Sequence, residues 1–317
     1  MLVNISIIIP LLNEKESLLE LINSIDEVMK AYSFTNEIIL IDDGSTDGSW
    51  ELIQNLSIDK KNIKGIKFLR NYGKSQALHA GFLKSQGEVV FTMDADLQDD
   101  PKEIPEMYNM ITNDNYDLVS GWKKKRYDSV LSKNIPSKIF NFAARLTSGI
   151  KLNDFNCGLK AFKRDVIKSI NVYGEMHRYI PILAKNEGFK KIGQKIVNHR
   201  PRKYGRTKFG ASRFLHGFLD LLTIWFISSF GKRPMHLFGS LGLLMLTTGL
   251  LFAIFLGYDK LFVNPLGKLI TERPEFYISL VTMVIGSQFF SMGFIGELML
   301  RNSNKKPQYQ ISKKLNL

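Results

Sequence analysis

The sequence predicts an α/β domain on a mostly parallel sheet, followed by a helix lying in a membrane surface and two membrane-crossing helices. Three observations predict it. From residue 1 to about 208, short apolar runs rich in β-branched residues alternate with amphipathic stretches, the pattern of βα units. Beyond 208 the composition changes, and two segments, 235–257 and 276–300, stay predominantly apolar throughout. The formal net charge of +13 is also unevenly placed: residues 190–219 and 301–317 carry basic groups and no acid, and the remainder is close to neutral. Both basic stretches border the apolar segments, so they read as a feature for a membrane surface or an anionic substrate rather than for nucleic acid. The single cysteine, Cys157, excludes an intramolecular disulfide framework.

In chain order, strands are expected at Ile5–Ile9, Glu37–Ile41, Gly65–Leu69, Val89–Met93 and Asp117–Ser120. Helices are expected near 14–31, 46–57, 74–86, 101–113 and 133–148. Asn13 is placed to cap the first helix, with Glu16 reaching back three residues later as in a capping box. The N-terminus does not read as a signal peptide, since it lacks a basic leader and its apolar run is broken by Pro10, Asn13 and Glu14. These elements make 1–208 one α/β domain. In 209–230, Arg213, His216, Asp220 and Thr223 fall on one helical face and Phe214, Phe218, Leu222 and Trp225 on the other, as in an amphipathic interfacial helix. Residues 231–317 form a membrane hairpin with a basic C-terminal tail. At about 1.5 Å per residue, each apolar segment covers about 34 Å or more, enough for a bilayer core. Gln288 would face the partner helix, and Glu297 would reach the interface. The loop 258–275 balances Lys260, Lys268 and Arg273 against Asp259, Glu272 and Glu275, whereas the flanks are basic, so both termini should be cytoplasmic.

Two acidic clusters follow strands directly. Asp42-Asp43-Gly44-Ser45-Thr46-Asp47 would sit at the carboxyl edge of the sheet, where open α/β folds bind ligands, although such residues also make turns. Asp94-Ala95-Asp96 places two carboxylates on one side of an extended segment. That suits a hard cation, Mg²⁺ or Mn²⁺, shared with the phosphates of a nucleotide diphosphate.

Taken together in this order, Pro10-x-x-Asn13-Glu14, the 42–47 cluster, Arg70-Asn71-Tyr72-Gly73-Lys74 and Asp94-Ala95-Asp96-Leu97-Gln98-Asp99-x-Pro101 resemble the family 2 inverting glycosyltransferases. The likeness is greatest to the polyprenyl-phosphate group, which includes dolichol-phosphate mannose synthase and bacterial enzymes acting on undecaprenyl phosphate. Asp154-Phe155-Asn156-Cys157-Gly158 and His199-Arg200-Pro201-Arg202 followed by Gly205-Arg206-Thr207-Lys208 extend it. The resemblance implies a nucleotide-diphospho-sugar transferase (GT-A-like) domain. It also implies an inverting, metal-dependent transfer from a nucleotide diphosphate sugar to a polyprenyl phosphate in a bacterial-type inner membrane. Homo-oligomer formation is compatible with it.

Residue by residue, the resemblance implies that Pro10, Glu14 and Asp43 line the nucleoside pocket, with Asn13, Asp42, Asp47 and Lys74 supporting the donor. Asp94 approaches the ribose or diphosphate and Asp96 is the firmest metal ligand. Asp154 matches an acidic position near the acceptor. A phosphate monoester is mostly a dianion at neutral pH, so Asp154 is expected to orient substrate rather than to act as a base. The acceptor phosphate would meet Arg200, Arg202, Arg206 and Lys208, with Lys123, Lys124, Lys125 and Arg126 as a second cluster; attraction of either to anionic headgroups is the alternative. His177 and His199 are too sparse for a metal site, and Cys157 reads as packing rather than a nucleophile. Two other functions compete. A processive polysaccharide synthase is disfavoured because no Gln-x-x-Arg-Trp sequence is present, and a non-catalytic scaffold is disfavoured by the intact Asp94/Asp96 pair. No Gly-x-Gly-x-x-Gly follows the first strand, which excludes a dinucleotide dehydrogenase.

Overall fold

The computed structural model describes residues 3–124, 135–172, 174, 176–201, 203–204, 223, 226, 230, 233–302 and 311–316. Contacts divide the chain into two compact units, Met1–Trp225 with Lys306–Leu317, and Phe226–Lys305.

The first unit is built on an eight-stranded sheet. Its strands are β1 (Ile5–Leu11), β2 (Asn36–Asp42), β3 (Ile63–Phe68), β4 (Val89–Thr92), β5 (Leu118–Trp122), β6 (Lys160–Lys163), β7 (Ile192–Ile196) and β8 (Ile311–Leu315), in spatial order β7-β5-β6-β4-β1-β2-β3-β8. β3, β2, β1 and β4 are mutually parallel, β6 runs antiparallel between β4 and β5, and β8 runs antiparallel to β3. Helices α1 (Lys15–Ala31), α2 (Ser49–Asp59), α3 (Lys74–Lys84), α4 (Ile104–Thr112), α5 (Ile135–Ser148), α6 (Arg164–Ser169) and α7 (Ile180–Asn186) accompany them.

The apolar run of β1 explains its place. Ile5, Ile7 and Ile9 bury against Leu18, Leu21 and Ile22 of α1, while Ile8 packs with Ala77, Leu78 and Phe82 of α3 on the opposite face. A strand buried on both faces needs apolar residues at successive positions, and each such side chain contributes about 1.5–3 kcal/mol of burial. Register then aligns the chemistry. Leu11 pairs with Asp42 and Ile8 with Thr92, so the residues following β1, β2 and β4 all emerge at one carboxyl edge.

Several sequence expectations change here. Strands β6, β7 and β8 were not expected. The stretch 101–113 begins as a 3₁₀ turn, Pro101–Glu103, before α4. Asn13 does not cap α1: it has φ 53°, the cap position is Glu14, and no capping box forms. Its amide oxygen instead accepts from Thr46 N at 2.8 Å, and the first amide of α1, Lys15 N, donates to Asp47 Oδ2 at 3.0 Å. The expected basic tail of 231–317 also differs, since its residues 311–315 form an edge strand of the catalytic sheet. Asn316 Nδ2 fastens it by donating to Ser57 O and Ile63 O. The expected interfacial helix 209–230 lies outside the described residues apart from Thr223, Phe226 and Phe230.

The second unit holds two long helices, α8 (Pro234–Tyr258) and α9 (Pro274–Asn302). With the π-turn Asp259–Val263 that continues α8, both are long and apolar enough to cross a membrane. They approach at small residues: a Cβ on Gly242 would lie 2.6 Å from Gly286 O, and Ser279 Oγ donates to Gly249 O at 3.0 Å. Such close backbone contact is how apolar helices associate where no hydrophobic force separates lipid from protein. Gln288 is exposed and does not face the partner helix as expected, because the glycine positions 286 and 293 occupy that face. An ion pair at 2.6 Å between Arg273 and Asp259 closes the connection between the helices.

Candidate active site

A cavity of about 390 Å³ opens at the carboxyl edge of the sheet, beside the ends of β1 and β4. The chain passes outward from β1 to β2 and β3 on one side and to β4 on the other, and such a reversal leaves a crevice between the connecting loops. Pro10, Glu14, Asp43, Lys74, Asp94 and Asp96 line the cavity, together with Asn71, His177 and Arg178.

Three other residues expected here do not line it and instead fasten its loops. Asp42 is fully buried and its Oδ1 accepts from Ser45 N at 2.7 Å. Asn13 holds Thr46 N and donates its own amide to Ser45 Oγ at 2.8 Å. Asp47 joins the starts of α1 and α2, accepting from Lys15 N and from Ser49 N at 2.9 Å. Its carboxyl titrates below the ordinary range; burial opposes this, and the hydrogen bonds from Ser49 and Lys15 outweigh it.

Asp43 ties the second loop to the third. Its Oδ1 accepts from Tyr72 N at 2.7 Å and its Oδ2 from Gly73 N at 2.9 Å, which sets Lys74 at the start of α3. Burial raises its carboxyl above the ordinary range, against the pull of those two amides. Lys74 Nζ lies 2.5 Å from Asp94 Oδ1. Asp94 is drawn down to about 2: burial alone would raise it, and the lysines 74, 123 and 160 overcome that. It is therefore a carboxylate at neutral pH. The Asp99 side chain is wholly buried and pairs with Lys123 Nζ at 2.8 Å. Asp99 Oδ2 accepts from Asp94 N at 3.3 Å, and Leu97, at φ 61°, turns the chain so that Asp96 Oδ1 accepts from Gln98 N.

Gly158 forms the floor under Asp94. A Cβ at this position would lie 2.4 Å from Asp94 Oδ2, so only hydrogen leaves the carboxylate its place. Thr92 Oγ1 donates to Gly158 O at 2.8 Å and holds the two segments together. Gly158→Ala should therefore displace Asp94 and lower turnover at least about tenfold, the cost of roughly 1.4 kcal/mol at the reacting centre. Single-turnover transfer alongside thermal unfolding checks this, and unchanged turnover in a folded variant would show that Asp94 tolerates the shift.

Asp154 does not reach the cavity wall. It is 2 % exposed, its Oδ1 accepts from Asn156 N at 3.0 Å and its carbonyl accepts from Ser120 Oγ, which shapes the turn toward Gly158. Arg200 pairs with Asp100 at 2.5 Å and donates its amide to Gln98 O, so it lies along the loop that carries the acidic pair. Arg126, Arg202, Arg206 and Lys208 lie outside the described residues. Lys123, expected as an acceptor cation, is committed to Asp99, and Lys124 stands over the Trp122 ring.

The structure adds Arg178 and Lys160, and brings in His177, which the sequence offers only as too sparse for a metal site. His177 lines the cavity, accepts or donates with Ser75 Oγ at 3.1 Å, and is kept neutral, first by burial and then by Lys74 and Arg178. Arg178 faces the same space. Lys160, 4 % exposed, donates to Cys157 O, and burial lowers its titration. Its position two residues after the 154–158 motif was the available signal; nothing comparable marked His177 or Arg178. The donor set fits a hard divalent cation. Among the described residues no three His, Cys, Asp or Glu side chains converge, but Asp94 and Asp96 supply two oxygen ligands beside a cavity open to phosphates. Cys157 supplies nothing, being buried with its thiol pushed up to about 12 by desolvation.

The model of glycosyl transferase family 2 matches residues 6–170. Dodecaprenyl-phosphate galacturonate synthase from Rhizobium johnstonii is 34% identical over 299 residues, covering 94% of this chain and 88% of that one. Undecaprenyl-phosphate 4-deoxy-4-formamido-L-arabinose transferase from Pseudomonas fluorescens is 34% identical, covering 98% and 89%. Among solved structures, glucosyl-3-phosphoglycerate synthase from Mycobacterium tuberculosis matches with a TM-score of 0.55 at 20% identity, covering 70% of this chain and 79% of that one. The same enzyme solved with Mn²⁺, UDP and glucosyl-3-phosphoglycerate matches with a TM-score of 0.55 at 18% identity, covering 71% and 79%. These structural likenesses establish the fold.

Proposed function

Because the chain belongs to glycosyl transferase family 2, we propose that it transfers one sugar from a nucleotide diphosphate sugar to a membrane polyprenyl phosphate, with inversion at the anomeric carbon. The observation that carries the reading is the pair Asp94 and Asp96 on the wall of a cavity that also presents Lys74 and Arg178. An acidic pair and two cations among the groups facing one space suit a diphosphate and its counterion. The acceptor class rests on the two relatives named above, whose likeness to this chain runs through nearly its whole length, including the two membrane-length helices.

Each residue then has a task. Pro10, Glu14 and Asp43 bound the nucleoside end, while Asn13, Asp42 and Asp47 hold that end's loops in place. Lys74 and Arg178 meet the diphosphate. Asp94 and Asp96 would hold Mg²⁺ or Mn²⁺, which when bound offsets charge on the departing nucleoside diphosphate. The acceptor phosphate, mostly a dianion at neutral pH, attacks the anomeric carbon; its oxygen forms the new bond as the bond to the diphosphate oxygen breaks. No proton needs to be removed, so buried Asp154 acts on the shape of the loop rather than as a base. Arg200, Arg126, Arg202, Arg206 and Lys208 are assigned to the acceptor phosphate at the membrane surface. Balanced charge in 258–275 against basic flanks supports a cytoplasmic side of the inner membrane for the catalytic unit and both ends of the hairpin.

Full-length protein in detergent, given undecaprenyl phosphate, Mn²⁺ and a panel of nucleotide sugars, should yield a lipid increased in mass by a single sugar for one donor. Products carrying many sugars would point to a processive synthase. Neither transfer nor donor hydrolysis across the panel would remove the enzymatic reading.

A further inference from the structure

Three lysines surround Asp94, and they differ in freedom. Lys123 is locked to the buried carboxylate of Asp99 at 2.8 Å. Lys160 is buried and donates to Cys157 O. Lys74 alone among the three lines the open cavity, with its side chain 35 % exposed and its ammonium 2.5 Å from Asp94 Oδ1. Its flexible stem starts at the first turn of α3, and a lysine on such a stem can reorient without moving the helix.

This ion pair competes with cation loading. A divalent ion on Asp94 would approach a carboxylate oxygen to about 2.0–2.1 Å, and an ammonium at ordinary hydrogen-bond distance from the same oxygen would meet it at close range. Like charges so near cannot both stay, and the singly charged, movable group yields. A bound diphosphate would bring further negative charge into the cavity that Lys74 lines, within reach of the released ammonium.

We propose that Lys74 is a relay cation: before loading its ammonium stands in for the divalent ion at Asp94, and on loading it swings to the donor's diphosphate. The proposal rests on the reading that Asp94 and Asp96 hold that ion. It assigns Lys74 two successive partners, so that the acidic pair is never left uncompensated and the diphosphate gains a cation only when the divalent ion has arrived.

The two partners give opposite signs on removal. In the full-length Lys74→Met variant, Mn²⁺ alone should bind about tenfold tighter, because the competing charge-assisted bond is gone. With Mn²⁺ saturating, UDP and GDP, each titrated separately, should show the better-bound nucleotide weakened about tenfold. Free Mn²⁺ is read by its electron paramagnetic resonance signal and nucleotide by calorimetry. Lys74→Arg, which keeps the charge, should leave both constants within about threefold of wild type. Thermal unfolding verifies that each variant is folded. If Lys74→Met leaves Mn²⁺ affinity unchanged, or weakens Mn²⁺ and nucleotide together, Lys74 is a fixed part of the site and the relay is wrong, while the cation reading stands. If wild type takes up no Mn²⁺ with or without either nucleotide, the cation reading itself fails and the relay with it.

Discussion

Asp96→Asn is expected to reduce sugar transfer by about a thousandfold or more, while the protein unfolds at the wild-type temperature. Asp96 is half-buried on the cavity wall, placed by the left-handed Leu97 and by the amide of Gln98. Neither contact holds the core together, so the change should spare the fold. What it removes is one of the two carboxylates assigned to the divalent ion. Lewis-acid stabilisation of a leaving diphosphate is worth several kcal/mol, and about 4 kcal/mol corresponds to a thousandfold. Single-turnover transfer with the identified donor measures it, and excess chelator should silence wild type to a similar level. Full activity in chelator would show that the carboxylates serve some purpose other than holding a cation.

The second large effect concerns stability. Lys123→Met should lower the unfolding temperature by roughly 10 °C, because it leaves the Asp99 carboxylate buried without its partner. Asp99 is 0 % exposed and Lys123 11 %. Breaking a buried pair from one side costs about 3–5 kcal/mol. For a unit of about 200 residues, 1 kcal/mol shifts the midpoint by about 2–4 °C. Adding Asp99→Asn to the same chain removes the stranded charge and should recover much of the loss. A single variant that melts within 2 °C of wild type would mean that water or another group compensates Asp99 when Lys123 is gone. Since Asp99 also accepts from Asp94 N, the pair secures the acidic loop as well as the core.

The parts of this design that were legible in the sequence are those that obey a period or a fixed order of motifs. β1, β2 and β4 announce themselves as β-branched runs, and the acidic residues that follow them mark the carboxyl edge. Strands β3 and β5 fall where the sequence puts them, whereas β6, β7 and β8 are hidden for identifiable reasons. β6 has only four residues, two of them lysines, and follows the turn at Gly158. β7, Ile-Gly-Gln-Lys-Ile, is nowhere fully buried and carries no run of apolar residues. β8, Ile-Ser-Lys-Lys-Leu, reads as basic tail because edge strands carry lysines to discourage further pairing. Asn13 sat where a cap belongs, but long-range contact with Thr46 outbid the local bond. His177 and Arg178 come to the cavity through a short 3₁₀ turn, Met176–Tyr179, whose placement depends on Ser75 far along the chain, and no local pattern carries that information.

The position of β8 has a consequence for biosynthesis. β3 is completed early, yet its outer partner is translated only after both membrane-length helices. Throughout that interval the catalytic sheet has an open edge, with unpaired amides and carbonyls along β3 that could accept a strand from another nascent chain. At ribosomal rates of about 5–20 residues per second, the exposure lasts on the order of ten seconds or more. The sheet is thus finished last, by a segment that can dock only once the hairpin has been made. Completion of the catalytic unit is thereby timed to follow synthesis of the membrane anchor, and a ribosome stalled between the two helices would hold a chain whose sheet still lacks its closing strand.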